Sequence, residues 1–440
     1  MLASSLFERL GLAPATPLKV AFSGGLDSHV LLHALTALRA QCSPPIALSA
    51  VHIDHGIHHD SAEWTRHCQI ICTELDVTFE SQRVQLVSVA DDGLEAAARY
   101  ARYAALKQRL APGEVLLTAH HLDDQAETVL LQLLRGAGVH GLAGIASIDD
   151  FGGGRLARPL LNVPRAALLD YALLHNLHWI EDDSNAHLQH RRNLIRHRIL
   201  PLLKSQWPRA AELLARNACH ASEAAGLLDA LAGDDLRLCE RDPATLSITA
   251  LRALARPRLA NLLRYWLRQQ RLPTPSTLHL TELIAIILHE PTSRRACLSW
   301  PGAEVWRYRD DLHAALPLSM PEPELDISWD MTEPLEVPRF GWRLQAVASR
   351  GEGLARARLP AAPLRVRLRR GGEICRLPGR QHHHKLKKLL QASHIAPWRR
   401  LRLPLLYVGE TLAAVADLWV CEPYAAQADE PGVRLILQKL

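Results

Sequence analysis

The sequence lacks the features that send a chain into or across a membrane. No apolar run approaches the roughly 18 residues that span a bilayer, and residues 1–8 have neither the basic start nor the long apolar core of a signal peptide. The net charge of +5 over 440 residues is too small to identify a partner by itself. We therefore expect a cytoplasmic protein that has no membrane partner.

The sequence also lacks any C-x-x-C pair of cysteines. Its eight cysteines are scattered, which argues against a zinc ribbon or a cysteine-ligated cluster. Cys68 and Cys72 are four residues apart in a predicted helix, a spacing typical of a packed helix face. We expect reduced, mostly structural thiols.

A glycine-rich loop near the start of the chain is the first candidate site. Residues 23–28 read Ser-Gly-Gly-Leu-Asp-Ser and separate an apolar run at 18–22 from a second one at 29–35, which predicts strand, tight turn and helix. Adjacent glycines allow positive φ, and the first N–H groups of the helix can bind an anion. A plain turn with an N-cap is the alternative.

The loop matches neither G-x-x-x-x-G-K-[ST] nor G-x-G-x-x-G, which argues against a Walker A or dinucleotide-binding loop. It is similar instead to the pyrophosphate-binding loop of the ATP pyrophosphatase superfamily, whose members cleave ATP between the α and β phosphates. The residues that this similarity assigns to ATP are Ser23, Gly24, Gly25, Leu26, Asp27 and Ser28.

Up to about residue 185, strand-like and helix-like segments alternate, which predicts a Rossmann-like, doubly wound parallel sheet with ligands at the carboxyl ends of its strands. The predicted strands are 18–22, 46–53, a segment within 77–84, and 114–119; the predicted helices after the first are 61–75, 94–110 and 125–135. Ser61 is the expected cap of the helix that it begins.

The rest of the chain has a different character. Helical patterns at 190–232, 251–271 and 278–288 precede a strand at 305–310, a proline-rich and acidic connection at 316–337, and short alternating segments that predict a small α+β module. We expect three domains: one with the parallel sheet at 1–215, a mainly helical middle one at 216–345 and a small C-terminal one at 346–440.

A second group of polar residues, His120-His121-Leu122-Asp123-Asp124, follows the last predicted strand of the sheet. A carboxylate at that edge could hold Mg²⁺ or accept a proton from an attacking amine. Alternatively, Asp124 is an N-cap and Glu127 its capping-box partner, although this leaves the two histidines unexplained.

Two arginines, Arg99 and Arg102, share one face of the helix predicted at 94–110. At the mouth of a phosphate site they could neutralise a triphosphate or its leaving pyrophosphate. A structural alternative is that Arg99 only pairs with Glu95, four residues before it.

Together these motifs resemble the tRNA(Ile)-lysidine synthetase family, and they occur in the same order. The matching segments are SGGLDS, GLEAAARYARY, TAHHLDDQAETVLLQLLRGAGVHGLAG, RPLL at 158–161 with Arg165, residues 179–185, RNLIR at 192–196, and, in the middle and C-terminal regions, WPGAEVWRYRD at 300–310, RGGE at 370–373, KLKKL at 385–389 and PWRR at 397–400.

The resemblance implies an adenine nucleotide alpha hydrolase type of fold and a two-step ligase. ATP would adenylate O2 of the wobble cytidine in an isoleucine tRNA with a CAU anticodon, and free L-lysine would then attack C2 and expel AMP. Asp27 would neighbour Mg²⁺, Arg99 or Arg102 would meet phosphates, and Asp123 or Asp124 would handle the lysine amine or the metal.

Three further positions complete the comparison with the family. Asp54 and Glu181 are secondary candidates for contact with adenine or substrate, and at position 58 the family's expected arginine is replaced by histidine. His58 is assigned no role.

The predicted tRNA surface lies mainly in residues 364–402, which hold twelve Lys and Arg against one acid, Glu373. Such a concentration suits a phosphate backbone, and Trp398 suits an exposed base. A second basic patch is predicted at residues 191–204. The residues assigned to tRNA are Arg192, Arg196, Arg370, Lys385, Lys387, Lys388, Trp398 and Arg399.

Other activities fit parts of the pattern. A tRNA thiolase of the same superfamily would need a reactive or cluster-binding cysteine pair, whose spacing Cys68 and Cys72 do not have. A glutamine-dependent amidotransferase would need an N-terminal cysteine, and a non-catalytic tRNA-binding protein would not need the motifs. The sequence leaves the oligomeric state open, a homodimer included.

Overall fold

The computed structural model describes residues 11, 13, 16–42, 45–54, 56, 60–84, 93–181, 191–289, 296–317, 325–380, 382–400 and 402–439. The chain divides into two compact units, residues 1–228 and 229–440. The boundary falls within a long helix, Ala210–Cys239. Position 58, where the family's arginine is expected, lies outside the described residues.

The first unit alternates strands and helices. Its strands are β1 (Leu18–Ala21), β2 (Leu48–Asp54), β3 (Thr78–Arg83), β4 (Val115–Leu117), β5 (Ile148–Phe151) and β6 (Gly154–Ala157). Its helices are α1 (Leu26–Arg39), α2 (Ser61–Glu74), α3 (Gly93–Gln108), α4 (Leu122–Leu134), α5 (Val139–Leu142), α6 (Arg165–Leu174), α7 (Arg191–Leu194) and α8 (Leu200–Gln206), and α9 is the long helix Ala210–Cys239.

Within the described residues the first unit has one six-stranded sheet, in the order β3-β2-β1-β4-β6-β5. The pairs around β1, β2 and β4 are parallel. In β4, Val115 and Leu117 pack in the core that contains α1 and α2, whereas Leu116 packs in a second core with Leu106 of α3. The sheet is therefore covered on both faces, which confirms the predicted α/β class.

The sheet ends in a hairpin that the sequence did not predict. β5 runs antiparallel to β6, and β6 continues the parallel order beside β4. At Gly154 the backbone of β6 lies against the residue that precedes β4. A Cβ at position 154 would lie 2.1 Å from the carbonyl oxygen of Glu114, so only glycine fits there. The segment is short, four residues a strand, and carries too little alternation to be recognised.

The other strands and helices predicted in this unit are present, with shifted ends, whereas α5 and α6 lie where no element was predicted. The cap of α2 is Asp60 rather than Ser61, and α4 begins at Leu122, three residues before the predicted start. Between α7 and α8 a π-helical turn spans Ile195–Ile199, so the predicted basic helix is divided into three segments. π-Helical turns are rare in proteins, and those that occur are often found at functional sites.

The first part of the second unit packs three helices on a sheet in the order β7-β8-β11-β10-β9, as far as the described residues go. The helices are α10 (Ile248–Arg252), α11 (Arg256–Gln269) and α12 (Thr277–Leu288). The strands are β7 (Glu240–Asp242), β8 (Thr245–Ser247), β9 (Ala296–Trp300), β10 (Ala303–Tyr308) and β11 (Asp311–Ala315). Trp266 of α11 is fully buried in the core, where its indole N–H donates to the Pro243 carbonyl at 3.1 Å.

The second part is richer in strands than predicted. Its strands are β12 (Asp326–Trp329), β13 (Leu335–Val337), β14 (Trp342–Arg350), β15 (Leu354–Ala355), β16 (Leu364–Arg367), β17 (Ile374–Cys375), β18 (His384–Lys385), β19 (Leu405–Val408), β20 (Thr411–Val415), β21 (Trp419–Val420) and β22 (Pro431–Lys439). Its two short α-helices among the described residues are α13 (Leu386–Ala392) and α14 (Pro397–Arg400). The 3₁₀ turns Pro338–Phe340 and Arg356–Arg358 connect strands.

Two predictions about this region are wrong. The connection expected at 316–337 contains β12 and β13, each of which pairs with a later strand. The thiols of Cys375 and Cys421 are not reduced but form a disulfide in a small buried core. The pairing joins positions 46 residues apart, a separation that gives no spacing signal.

No helix of the described residues is long and apolar enough to cross a bilayer.

Candidate active site

The glycine-rich loop takes its shape from one glycine rather than two. Gly24 has φ +80°, and a Cβ there would lie 2.8 Å from Ile180 Cδ1 and 2.9 Å from Cys68 Sγ. Gly25 has φ −78° and is the N-cap of α1, with no side-chain capping bond. Position 24 therefore needs glycine both for its backbone angle and for the space under the loop.

The loop is closed by its own serines. The hydroxyls of Ser23 and Ser28 are 3.0 Å apart, and the Ser28 hydroxyl donates to the Gly25 carbonyl at 3.0 Å. The Ile180 N–H donates to the Gly24 carbonyl at 3.0 Å and joins the loop to residues 177–181. Leu26 and Asp27 then open α1, so the free N–H groups of this helix face the site.

The second motif begins α4 differently from the prediction. His121, not Asp124, is the N-cap: its Nδ1 accepts the Asp124 N–H at 3.3 Å, and Asp124 Oδ2 accepts the His121 N–H at 3.1 Å. This is a capping box with histidine in the place of serine. Glu127 is outside the box, so its role must be different.

Glu127 and Asp124 bind two arginines from the segment after α6. Arg192 donates to Glu127 Oε2 and to Asp124 Oδ1, both at 2.8 Å. Arg196 donates to Glu127 Oε1 at 2.7 Å and to Asp124 Oδ1 at 3.0 Å. The Glu127 side chain is only 1% exposed, against 28% for each arginine. The guanidiniums predicted to touch tRNA are thus held inside the first unit by carboxylates.

Asp123 is used differently from its neighbour. Its carboxylate accepts the backbone N–H of Arg165, the first residue of α6, at 2.9 Å, and it also binds the Lys204 ammonium of α8. Burial raises the pKa of this carboxyl, but the Lys204 ammonium and the Arg165 N–H outweigh burial and lower it. Asp123 therefore joins three helices, and Asp124 is the acid that faces the open site.

A cavity of about 620 Å³ in the first unit brings the predicted residues together. The predicted residues that line it are Ser23, Gly25, Leu26, Asp27, Ser28, Arg99, Arg102, Asp124 and Arg192. Gly24, Asp123 and Arg196 lie outside this lining but contact it through the bonds described above. Of the secondary candidates, Glu181 lines the cavity and Asp54 does not.

The cavity is strongly cationic on one side. Arg99 and Arg102 of α3 are exposed within its lining, and the Arg99 guanidinium lies 4.9 Å from the centre of the Tyr103 ring. Burial raises the pKa of the Asp124 carboxyl, yet the surrounding cationic groups lower it below its ordinary value. An anionic ligand would meet the arginines, and a cationic one would meet Asp124.

His120 is a neutral group between these charges. Its Nδ1 lies 2.9 Å from the Thr118 hydroxyl, and burial lowers the pKa of its imidazole to about 4. At neutral pH it can therefore offer a hydrogen bond without adding a positive charge. The sequence motif indicated a site at this residue but not its protonation state.

Sequence reasoning gave no role to four other residues of the lining, Trp179, Arg165, His197 and Thr118. Trp179 and Arg165 belong to segments that carry the family resemblance. The histidine is placed by the π-helical turn, which no local pattern indicated.

The cysteines near the loop are unsuited to nucleophilic chemistry. Cys68 and Cys72 are both fully buried, and burial raises the pKa of each thiol to about 12. A thiolate would therefore be scarce at neutral pH. Both cysteines belong to a packed helix face in the core, as their spacing predicted, and Cys68 Sγ lies beneath Gly24.

In the second unit, five of the residues predicted to bind tRNA are exposed. They are Arg370, Lys385, Lys387, Lys388 and Arg399. The three lysines lie around the start of α13, whose opposite face packs Leu386, Leu389 and Leu390 into a core. This arrangement presents the ammonium groups to solvent.

Four other arginines of the basic run form ion pairs within the protein. Arginines that the sequence counted toward it are bound by acids, most of which lie elsewhere in the chain: Arg365 by Asp326, Arg367 by Glu410, Arg369 by Glu373 and Arg376 by Glu422. Three of the four acids, Asp326, Glu410 and Glu422, lie outside residues 364–402, so a count along the sequence overstated the available charge.

Trp398, which we predicted to contact an exposed base, is buried. Its side chain is 7% exposed and stacks on the His313 ring of β11 at 4.5 Å and 2°. The interaction with β11 joins α14 to the sheet of the preceding part of the unit. Trp398 therefore has a structural contact in place of the base contact that we expected.

The fold and the site first define the class of protein to which the chain belongs. Residues 3–203 match the family model described as a PP-loop domain, in agreement with a parallel sheet whose first loop is built for a phosphate. Two further models match, a TilS substrate binding domain at residues 246–313 and a TilS substrate C-terminal domain at 364–437. The chain is an ATP pyrophosphatase-type PP-loop protein with two appended modules.

Full-length relatives then give the family. The tRNA(Ile)-lysidine synthase of Coxiella burnetii is 40% identical over 95% of this chain and 92% of its own. The enzyme of the same name from Alkalilimnicola ehrlichii is 43% identical over 97% of this chain and 95% of its own. The chain belongs to the tRNA(Ile)-lysidine synthase family and is therefore a ligase.

Similarity to a solved structure is weaker. The U34-tRNA thiolase NcsA from Methanococcus maripaludis aligns with a TM-score of 0.43 at 18% identity, over 50% of this chain and 78% of its own. Likeness at this level carries no argument about activity.

Proposed function

We propose that this protein ligates free L-lysine to C2 of the wobble cytidine of an isoleucine tRNA with a CAU anticodon, in the cytoplasm, at the expense of ATP. In the first step cytosine O2 attacks the α-phosphate and pyrophosphate leaves. In the second, the lysine ε-amine attacks C2, the C–O bond to AMP breaks, and the amine gives up its protons. AMP, pyrophosphate and a lysidine-containing tRNA are the products.

The observation that carries this proposal is the joint lining of one cavity by the phosphate loop, two arginines and Asp124. An adenylation site needs donors for a leaving pyrophosphate, which the N-terminus of α1 and the guanidiniums of Arg99 and Arg102 supply. A lysine site needs an anion for the ammonium, which Asp124 supplies. Both requirements are met within about 620 Å³.

Asp124 is better suited to bind the amine than to deprotonate it. Its carboxylate is held ionised by Arg192 and Arg196 at 2.8 and 3.0 Å, which makes it a weak base. A lysine amine has an ordinary pKa of about 10.4, so the amine must lose its proton as it leaves water for the site. We assign Asp124 the orientation of the amine toward C2.

The residues at the loop also fit Mg²⁺. Asp27 Oδ1 is buried and has no hydrogen-bond partner in the described part of the structure, and carboxylate oxygens are the protein ligands that Mg²⁺ prefers, together with substrate phosphates. Asp27 is the one side chain that we propose for the ion, and no group of three or more candidate ligand side chains occurs among the described residues. When bound, the ion would neutralise charge on the phosphates.

The exposed cations of the second unit are proposed to hold the tRNA. Arg370, Lys385, Lys387, Lys388 and Arg399 present charge to solvent, as a phosphate backbone requires. For Arg192 and Arg196 a tRNA contact stays a prediction, because both guanidiniums are already bound to carboxylates. The proposal assigns no base contact to Trp398.

A direct test supplies the protein with ATP, radiolabelled lysine and a transcript of the CAU-anticodon isoleucine tRNA. We expect label in the tRNA, with one AMP and one pyrophosphate for each lysine. A transcript in which the wobble cytidine is replaced by uridine is the matched control and should accept none. ATP turnover without lysine transfer, or sulfur incorporation that does not need lysine, would overturn the proposal.

A further inference from the structure

His121 lies between the two halves of the candidate site. The side chain is 1% exposed and is outside the cavity lining. Its Nε2 lies 3.6 Å from Asp27 Oδ2 and 3.3 Å from Asp124 Oδ2. One imidazole therefore contacts the acid of the phosphate loop and the acid that faces the lysine end.

The capping bond fixes which ring nitrogen carries a proton. Nδ1 accepts the backbone N–H of Asp124 at 3.3 Å, so its lone pair is engaged and it cannot donate there. The proton must then be on Nε2, the nitrogen that lies within 4 Å of both carboxylates. The backbone of α4 thus sets the hydrogen-bonding direction of the ring.

Asp27 has few other restraints. Its Oδ1 is buried without a hydrogen-bond partner in the described structure. Among the described residues, Asp27 lies within ion-pair distance of one side chain, that of His121, through Oδ2 and Nε2. Without it, the carboxylate could turn toward other rotamers.

We propose that His121 is a positioning residue, which acts through its Nε2–H to hold the Asp27 carboxylate in the orientation that adenylation needs, in register with Asp124. The inference rests on the proposed function, since it assigns Asp27 to the first step. His121 need not touch the substrate, the pyrophosphate or lysine to act in this way. Partners of this kind commonly contribute about 10- to 100-fold to activity.

Two substitutions separate the cap from the contact with Asp27. Asparagine places an oxygen near the position of Nδ1, and it is among the best N-cap residues, but it has no atom at Nε2. Glutamine places an amide nitrogen near Nε2 and is a poor cap. His121→Asn therefore keeps the start of α4 and loses the contact with Asp27, whereas His121→Gln does the reverse.

The experiment measures tRNA-dependent pyrophosphate release without lysine, together with thermal unfolding. We expect His121→Asn to unfold near the wild-type temperature, with the single-turnover rate constant for release lowered by about 10- to 100-fold. The ATP concentration that gives half the maximal rate should stay within about twofold, because the loop and α1 still bind the nucleotide. We expect His121→Gln to unfold earlier and to retain more of the release rate, measured below its transition.

If His121 only caps α4, the release rates of the two variants are ordered the other way, with His121→Gln slower than His121→Asn. If His121→Asn releases pyrophosphate at the wild-type rate, or if His121→Gln is the slower enzyme at equal folded fraction, the inference is wrong. A double variant with Asp27→Ala provides a further test: adding His121→Asn should lower the rate no further, and additive losses would contradict coupling through Asp27. If the wild-type protein releases no pyrophosphate, the proposed function fails first.

Discussion

The cations of the cavity and those of the C-terminal basic surface have opposite environments. Arg192 and Arg196 are 28% exposed and bound to buried carboxylates, whereas Lys385, Lys387 and Lys388 are exposed around one short helix. Bound guanidiniums have fixed directions and can define a geometry for chemistry. Exposed ammonium groups act as mobile charges, which suits a long phosphate backbone. Charge near a nucleic-acid substrate therefore has two uses here, and pairing distinguishes them.

The largest effect is expected from a substitution in the cavity, which should abolish lysine transfer without weakening tRNA binding. Asp27→Ala should reduce lysine transfer by at least about 1,000-fold, because it removes both the proposed Mg²⁺ ligand and the charge at the phosphate loop, while tRNA affinity stays within about twofold. Labelled-lysine transfer and filter binding measure the two properties. The exposed Asp170→Ala of α6 is the matched control and should resemble the wild type.

Retained transfer by Asp27→Ala would show that the loop is not the centre of the site. Loss of tRNA affinity in the same variant would show that the two regions are not separable.

The next effect concerns the paired arginines. Glu127→Gln leaves two half-buried guanidiniums with one carboxylate, and we expect the free energy of unfolding to fall by about 3 kcal/mol. Denaturant titration measures it. Glu212→Gln, which breaks an exposed pair with Arg209, is the control and should leave stability unchanged within error. An equal change in the free energy of unfolding for the two variants would show that Glu127 holds its arginines no more firmly than Glu212 holds Arg209.

The exposed lysines are tested by the triple change Lys385→Gln, Lys387→Gln and Lys388→Gln. We expect tRNA affinity to fall by about 10- to 30-fold at low salt, the slope of log K against log salt to become shallower by about two to three, and ATP binding to stay intact. Binding is measured at several salt concentrations.

The charge-matched control changes Arg343, Arg350 and Arg434 to glutamine. Each of these lies within 4 Å of a carboxylate, from Glu336, Asp429 and Glu352 respectively, so the salt slope should move little. An unchanged affinity in the lysine variant, or an equal loss in the control, would mean that net charge rather than this surface holds the tRNA.

The smallest effect is on pH dependence. The pKa of His120 is lowered from 6.5 to about 4 by burial, so between these values the unfolded chain binds a proton that the native chain does not. The stability contribution is complete above pH 6.5 and is lost as the pH falls toward 4, by about 1 to 2 kcal/mol at pH 5. Unfolding free energies of the wild type and His120→Asn at pH 7 and pH 5 measure it, and the variant should lack this component.

Local patterns carried the prediction of the first unit. The strand, loop and helix around residues 23–28 follow from apolar runs and glycines that act within a few residues of each other. The parallel sheet followed from the β-α alternation, and its carboxyl edge correctly united the loop with Asp124, Arg99 and Arg102. The relation of these motifs in space needed only the topology of the sheet.

The predictions that failed depend on contacts between distant positions. Trp398 is buried because β11 supplies His313, and Cys375 is oxidised because Cys421 folds beside it. Arg367 is lost to the basic surface because Glu410, in the turn between β19 and β20, pairs with it at 2.9 Å. A single sequence gives composition and period but not these partners. The different contacts of Asp123 and Asp124 could not be predicted for the same reason. The partners of Asp123, Arg165 and Lys204, are far from it in the sequence.

The three contacts of Asp123 have a consequence for how amino-acid preference could change. The carboxylate ties the start of α4 to the first N–H of α6 and to Lys204 of α8, and α4, α6 and the segment before α8 each contribute to the cavity wall. A substitution at Lys204 would alter the spacing of these walls without changing any residue of the cavity lining. The shape of the cavity can therefore change through a residue that does not line it.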